Sequence, residues 1–247
     1  MKRFLLILLF SVSLFSAELT IVSEDGFKLH GWLNKPDTTE KTTPVILFAH
    51  QFGADHSIWD TLAKEFNAKG YATLNVDLRG HGKSILQNGK ENKAITDVRL
   101  DHIKEALVQS NKKVGFKNIP RDLSAWIDFI SEDDSLDIDS LYLFGSSLGA
   151  GAIIPLLNDY EAKGLVAIST GRLEELGEET DMALSMSMTK GLFIATKNDP
   201  LNASKRTIEY TQKSILGTAI ILSGDGHGTV VLPQVQDYIF SFMENIK

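Results

Sequence analysis

Ser147 stands at the centre of Gly145-Ser146-Ser147-Leu148-Gly149, just after the apolar run Leu141-Tyr142-Leu143-Phe144 and just before Ala150-Gly151-Ala152-Ile153-Ile154. Strand, tight turn, helix is the order of a nucleophile elbow, which lifts a serine hydroxyl off the end of a sheet. In so sharp a turn a Cβ at position 145 or 149 would meet neighbouring backbone, which accounts for the two glycines. The helix that follows aims free N–H groups and the positive end of its dipole at the hydroxyl, so negative charge can develop there. A serine hydroxyl alone is a weak nucleophile. It needs a base within hydrogen-bond reach and an acid to orient that base. Asp199 follows the apolar run 191–196, and His227 lies in the glycine-rich Ser223-Gly224-Asp225-Gly226-His227-Gly228 after the run 218–222. All three residues therefore follow apolar stretches. Their order, serine then aspartate then histidine, is the one expected at the carboxyl ends of a parallel sheet. The Gly-x-Ser-x-Gly pattern alone arises readily by chance; the three in this order are a far rarer coincidence.

The elements that must carry these residues alternate between strand and helix. Residues 18–23 and 27–33 read as a hairpin around Glu24-Asp25-Gly26. Runs 44–50, 71–77, 141–144, 164–169, 191–196 and 218–222 have the short apolar character of buried parallel strands. Residues 58–69 show helical periodicity and stop before Gly70. Pro120 opens a helix whose Leu123, Trp126, Ile127 and Ile130 share a face, and residues 230–246 close the chain as a helix with Val231, Val235, Ile239 and Phe242 inward. The expected fold class is α/β, with a mainly parallel central sheet, an antiparallel N-terminal hairpin and helices on both faces. Two segments break the repeat. Residues 85–119 are charged and partly helical, with Ile95, Val98, Ile103 and Leu107 at helical spacing; residues 171–190 are acidic and carry Met182, Met186 and Met188. Both are expected to be small cap insertions over the strand ends. For the methionine stretch, an ordinary surface excursion with a buried stripe explains the pattern equally well.

Composition narrows the chemistry. The 247 residues are 43% hydrophobic, which suits one sizeable domain with a proper core. A net charge of −7 offers no basic footprint for nucleic acid or anionic lipid, so neither is an expected partner. The chain has no cysteine, which excludes disulfides, thiolate catalysis, Cys-ligated zinc and a lipoprotein anchor. Met1-Lys2-Arg3, the apolar run 4–15 and Ser16-Ala17 read as a secretory signal peptide over residues 1–17, leaving a domain over residues 18–247. The run is shorter than the ~20 residues that span a bilayer, so no stable membrane span is expected after cleavage. A periplasmic or secreted location in a bacterium follows. Phe15, at the third position before a cut after Ala17, leaves the cut position open.

Charge developing on an attacked carbonyl oxygen needs two donors. Leu148 N–H, directly after the serine, is one. The other is expected from the loop His50-Gln51-Phe52-Gly53, with Phe52 N–H favoured and Gln51 the alternative. Losing one such donor typically costs ~3 kcal/mol of transition-state stabilisation. The remaining histidines have simpler readings: His30 is structural in the hairpin, His56 and His102 are solvated, and His81 holds its loop. Asp225 competes with Asp199 as partner of His227 but is too close in sequence to reach the far ring nitrogen easily. Gly224-Asp225-Gly226-His227-Gly228 has no second ligand at helical or hairpin spacing, so no metal is expected there.

Together, His50-Gln51-Phe52-Gly53, Asp77-Leu78-Arg79-Gly80-His81-Gly82-Lys83-Ser84, Gly145-Ser146-Ser147-Leu148-Gly149, Asp199 and His227-Gly228 resemble the α/β-hydrolase superfamily. The resemblance covers nearly all of the chain after residue 17. Within the superfamily it is similar to the serine-esterase and dienelactone-hydrolase-like branches. It implies the α/β-hydrolase fold and places nucleophile, acid and base at Ser147, Asp199 and His227. The implied function is a secreted, metal-free and cofactor-free serine hydrolase that cleaves a carboxylic ester of a small or medium substrate through an acyl-enzyme. Many members have His-Gly where this chain has His50-Gln51, so the Gln51 side chain is expected to narrow the oxyanion loop. A serine nucleophile argues against dienelactone hydrolysis proper, which uses cysteine, and against haloalkane dehalogenation, which uses aspartate. A peptidase or thioesterase with the same three residues, or a non-catalytic binding protein on the same fold, are the alternatives.

Overall fold

The apolar runs become strands because each presents alternate side chains to two separate hydrophobic layers. The computed structural model describes residues 16–246. In chain order its elements are β1 (Ser16–Val22), β2 (Phe27–Asn34), β3 (Thr43–Ala49), α1 (Asp60–Ala68), β4 (Ala72–Asp77), β5 (Leu86–Gln87), β6 (Lys90–Glu91), α2 (Ile103–Val114), α3 (Ile119–Ser131), β7 (Leu136–Ser146), α4 (Leu148–Ile153), β8 (Gly164–Ile168), α5 (Gly177–Met186), β9 (Lys190–Thr196), α6 (Ala203–Lys213), β10 (Gly217–Leu222) and α7 (Leu232–Glu244). Of the leader expected over residues 1–17, residues 1–15 lie outside the described residues; Ser16 and Ala17 open β1 and face Asn34 and Leu33.

The sheet order is β10-β9-β8-β7-β3-β4-β2-β5-β6, with β1 also paired to β2. Neighbours from β10 to β4 run parallel, whereas β1, β5 and β4 all pair antiparallel with β2. This is the α/β-hydrolase fold, mostly parallel with an antiparallel edge. Side-chain alternation sorts the core. Val45, Leu47, Leu141 and Leu143 enter one layer, under α3, α4 and α5. Ile46, Phe48, Tyr142 and Phe144 enter the other, under α1 and α7.

Four features differ from the sequence reading. A short hairpin, β5–β6, sits inside residues 85–119; it turns on Asn88 and Gly89, both at positive φ (51° and 76°), as an Asn-Gly turn requires. Helix α6 has no counterpart in the sequence reading, because its buried face is Ala203, Thr207 and Tyr210 rather than a stripe of large aliphatics. Strand β7 starts five residues before the apolar run; Leu136 and Asp137 pair with Thr43 and Pro44 before the register shifts at Pro44/Val45. Only the start of residues 171–190 approaches the elbow. Helix α5 turns away and contributes Ala183 and Leu184 to the larger core layer.

Candidate active site

The parallel register of β3, β7 and β8 sets the elbow. Ser147 follows β7 directly at φ 48° and ψ −108°, a conformation rare for a residue with a side chain. It is held from both sides. Its N–H donates to Ile168 O (2.8 Å), and its carbonyl accepts from Gly171 N–H (2.8 Å) and Gly151 N–H (3.0 Å). A Cβ on Gly145 would lie 2.6 Å from Ala150 backbone atoms, and one on Gly149 would collide with the Ala49 carbonyl oxygen. Both glycines are therefore required by close approach, as the turn geometry predicts.

The two partners arrive from the ends of β9 and β10, on the far side of β8 from the elbow. The loops after β9 and β10 are laced together by Lys197 N–H to Leu222 O (2.7 Å) and Asn198 N–H to Gly224 O (3.1 Å). The Thr196 hydroxyl adds a bond to Gly226 O (2.7 Å), one residue before His227. His227 Nε2 lies 2.8 Å from Ser147 Oγ, and His227 Nδ1 lies 2.8 Å from Asp199 Oδ2. With Asp199 ionised, Nδ1–H donates to the carboxylate and Nε2 accepts from the serine hydroxyl. The other oxygen of Asp199 accepts from Leu201 N–H (2.8 Å) and Ala203 N–H (3.3 Å). Burial works against the Asp199 charge. The His227 ring and these two N–H groups more than offset it and hold the carboxyl below the usual range. Asp225, the competitor, is exposed, and Asp199 occupies Nδ1.

The loop after β3, where the sequence reading expects an oxyanion donor, is built around His50, which is fully buried. Its Nδ1–H donates to Gln51 O (2.7 Å), and its Nε2 accepts from Leu78 N–H (2.9 Å). Burial, with His81 nearby, lowers its pKa to about 3, so the ring is neutral and its tautomer fixed. Ala54 N–H also donates to Gln51 O (3.2 Å), and Gly149 N–H donates to His50 O (3.1 Å), joining this loop to the elbow. Among the described residues, the N–H groups of Leu148 and Phe52 donate to no protein acceptor. Where the sequence reading expects the Gln51 side chain to narrow this loop, the structure gives it two partners outside the loop. Its Oε1 accepts from Ser146 Oγ (2.7 Å) and Thr229 N–H (3.0 Å), pinning β3, the elbow and the His227 loop together. Sequence reasoning missed this clamp; its signal was the departure at Gln51 from the pattern of the resembled family.

His30 bonds Glu18 (2.9 Å) in the hairpin, His102 is exposed, and His81 is buried with Nδ1 on Arg79 O (3.0 Å). His56 corrects the sequence reading. Rather than being solvated, it stacks on Trp32 with centroids 3.3 Å apart and bonds Asp77 Oδ1 (2.8 Å). Asp55, His56 and Asp77 lie close enough to hold a cation, but the carboxylate oxygens already serve the loops. Asp77 accepts from His56 N–H (2.8 Å) and Lys83 N–H (2.7 Å), and Asp55 accepts from Ser57 N–H (2.9 Å).

Beside Ser147 lies a cavity of about 260 Å³. Its apolar wall is Leu107 and Val108 of α2, with Phe116, Leu148, Leu173 and Leu201. Helix α2 and residues 171–175 thus flank the serine. The volume sits just below the range typical of small-molecule pockets, ~300–1,000 Å³.

Comparison with known proteins agrees with this architecture. Est1E from Butyrivibrio proteoclasticus, solved with ferulic acid bound, superposes with a TM-score of 0.68 at 17% identity, covering 92% of this chain and 98% of that one. The acetyl xylan esterase from Paenibacillus sp. R4 gives 0.68 at 16% identity, covering 93% and 83%. The Pyrococcus furiosus esterase Pf2001 gives 0.69 at 15% identity, covering 94% and 93%. At such identities the likeness is one of fold. No curated protein matches the chain in sequence. A family model described as "Serine aminopeptidase, S33" matches residues 40–196, a span that includes the oxyanion loop and Ser147 and ends before Asp199 and His227. With that match over more than half its length, the chain belongs to the S33 serine aminopeptidase family of α/β-hydrolases.

Proposed function

We propose that the protein is a serine hydrolase that cleaves a carboxylic ester of a small or medium substrate through an acyl-enzyme on Ser147. The observation that carries this reading is the pair of 2.8 Å contacts running Ser147 Oγ, His227 Nε2, His227 Nδ1, Asp199 Oδ2. His227 takes the Ser147 proton as Oγ attacks the ester carbonyl, then returns it to the leaving alcohol. Water repeats the sequence on the acyl-enzyme and releases the acid. Asp199 fixes the tautomer and stabilises the imidazolium as it forms. Leu148 N–H supplies one oxyanion donor and Phe52 N–H the other. Support for Phe52 is geometric. The Gln51 carbonyl is held by His50 and Ala54, and in a trans peptide the following N–H points the opposite way. Ester-cleaving neighbours of the same fold support the substrate class. The run Phe4 to Phe15 behind Lys2 and Arg3 supports export, which the N-terminal residue of protein recovered from the native cell would test.

The test is covalent. A fluorophosphonate probe should label the wild-type chain at Ser147 and leave Ser147→Ala unlabelled, and the same variant should lose turnover of p-nitrophenyl esters. Labelling elsewhere, or full turnover by the variant, refutes the assignment. The second reading is a peptidase, favoured by the family description and by Glu175 on the cavity rim, a carboxylate that accepts only from the neutral Asn111 amide and suits a substrate amine. Aminoacyl anilides run beside the esters separate the two.

A further inference from the structure

Arg206 stands out in the cavity wall as a cation that is held in place but unmatched. It lies in the first turns of α6. Its Nε donates to Thr170 O (2.7 Å) and its Nη2 to Leu201 O (2.8 Å). Both acceptors are neutral carbonyls, and among the described residues no carboxylate lies within 4.0 Å of the guanidinium. The other charges along the cavity have answers. Arg172 pairs with Glu174 (3.0 Å), Glu175 takes the Asn111 amide (2.6 Å), and Lys104 is exposed to water. Arg206 is half-buried and faces the same cavity as Ser147, Leu148 and Phe116.

Its anchors tie it to the reacting groups. Thr170 precedes Gly171, whose N–H holds the Ser147 carbonyl, and the Leu201 N–H holds Asp199. The guanidinium is therefore set on the same short backbone segments that set the serine and its acid. Nη1 is left over, on the end of a planar fork suited to a carboxylate. A partly desolvated cation on an apolar wall is costly until an anion meets it. Apart from Arg206 and the polar groups already named, the wall is Leu107, Val108, Phe116, Leu148, Leu173 and Leu201.

We propose that Arg206 binds a carboxylate on the substrate, so that the preferred ester has an apolar body and a free carboxylate at its far end. This rests on the ester-hydrolase reading for its chemistry and on Arg206 alone for its selectivity.

The experiment uses the full chain with Ser147→Ala, titrated calorimetrically with monophenyl glutarate, with its neutral primary-amide analogue and with phenyl 5-aminopentanoate. The half-ester should bind about tenfold tighter than the amide, the scale of one charge-assisted contact. Arg206→Gln in the same background should bring the two within about twofold of each other, and Arg206→Lys should restore part of the gap. Should the glutamine variant fail to fold, the gap in Ser147→Ala itself must shrink as salt is raised. Equal binding of half-ester and amide, a gap that survives Arg206→Gln, or tightest binding of the amine overturns the proposal. Wild-type turnover of the half-ester is read separately. Selective binding without turnover sinks the ester reading and leaves Arg206 standing, whereas turnover without selectivity does the reverse.

Discussion

At the scale of single residues, the site depends on which proton sits where. Asp199 accepts Nδ1–H of His227, so the Nε2 lone pair is free for the serine hydroxyl. Asp199→Asn keeps the shape but offers an amide that stabilises the opposite tautomer. Turnover should fall by about 10⁴ with little change in KM, the scale seen when a triad aspartate is neutralised. Steady-state kinetics on a p-nitrophenyl ester measures it, and a loss below tenfold would remove Asp199 from the role of orienting acid. Gln51 acts one step back. Its single oxygen serves the Ser146 hydroxyl and the Thr229 N–H, so Gln51→Ala strands two donors. That should cost about 1–3 kcal/mol in denaturant unfolding, with Gln51→Glu, which keeps the acceptor, recovering most of it. Equal stability of the alanine variant and the wild type would show that water replaces the clamp.

At the scale of elements, the elbow is a contact between backbones. Helix α4 can lie against the end of β3 only because residue 149 has no Cβ; an added one would run into the Ala49 carbonyl, which is fixed in the sheet. Gly149→Ala should therefore cost about 3 kcal/mol or more, since neither partner can yield. Gly89, in the β5–β6 turn, has nothing within 4 Å and only its φ of 76° to defend, so Gly89→Ala should cost about 1 kcal/mol. Thermal unfolding of the two variants side by side decides whether close packing or backbone conformation dominates. This contrast also explains what could be read from the sequence. The elbow, the parallel strands and the order of Ser147, Asp199 and His227 are written in local patterns of glycine and apolar runs. Helix α6 is not, because its inward face is Ala203, Thr207 and Tyr210, which carry almost no hydrophobic period. The role of Gln51 was hidden for another reason: its partners Ser146 and Thr229 lie 95 and 178 residues away. His56 looked polar and solvated until the sheet brought Trp32 against it.

At the scale of the whole molecule, the apolar packing around the loop after β3 has a consequence for acid stability. His50 and His81 lie 5.2 Å apart, centroid to centroid, with Phe52 and Phe116 beside His81. Burial lowers His50 to about 3 and His81 to about 4, so the folded chain refuses two protons that the unfolded chain accepts near pH 6.5. The sign follows. The unfolded state binds more protons across this window, so stability rises with pH and is lost as pH falls from about 6.5 towards 4 for His81 and towards 3 for His50. Asp199, held below the usual carboxylate range, adds a loss in the same direction at lower pH. Each histidine contributes a slope of up to about 1.4 kcal/mol per pH unit, enough over two units to remove much of a typical domain's stability. His81→Phe keeps an aromatic ring in the cluster and removes both the titrating group and the Nε2 that has no hydrogen-bond partner. Its unfolding free energy, followed by denaturant titration at pH 7, 6, 5 and 4, should decline about half as steeply as that of the wild type. The Arg79 carbonyl, left without the His81 donor, costs about 1 kcal/mol at neutral pH, so the two stability curves should cross on the acid side. Parallel curves would mean that His81 takes up its proton within the fold, and the cluster would then have to open to water before the rest of the chain unfolds.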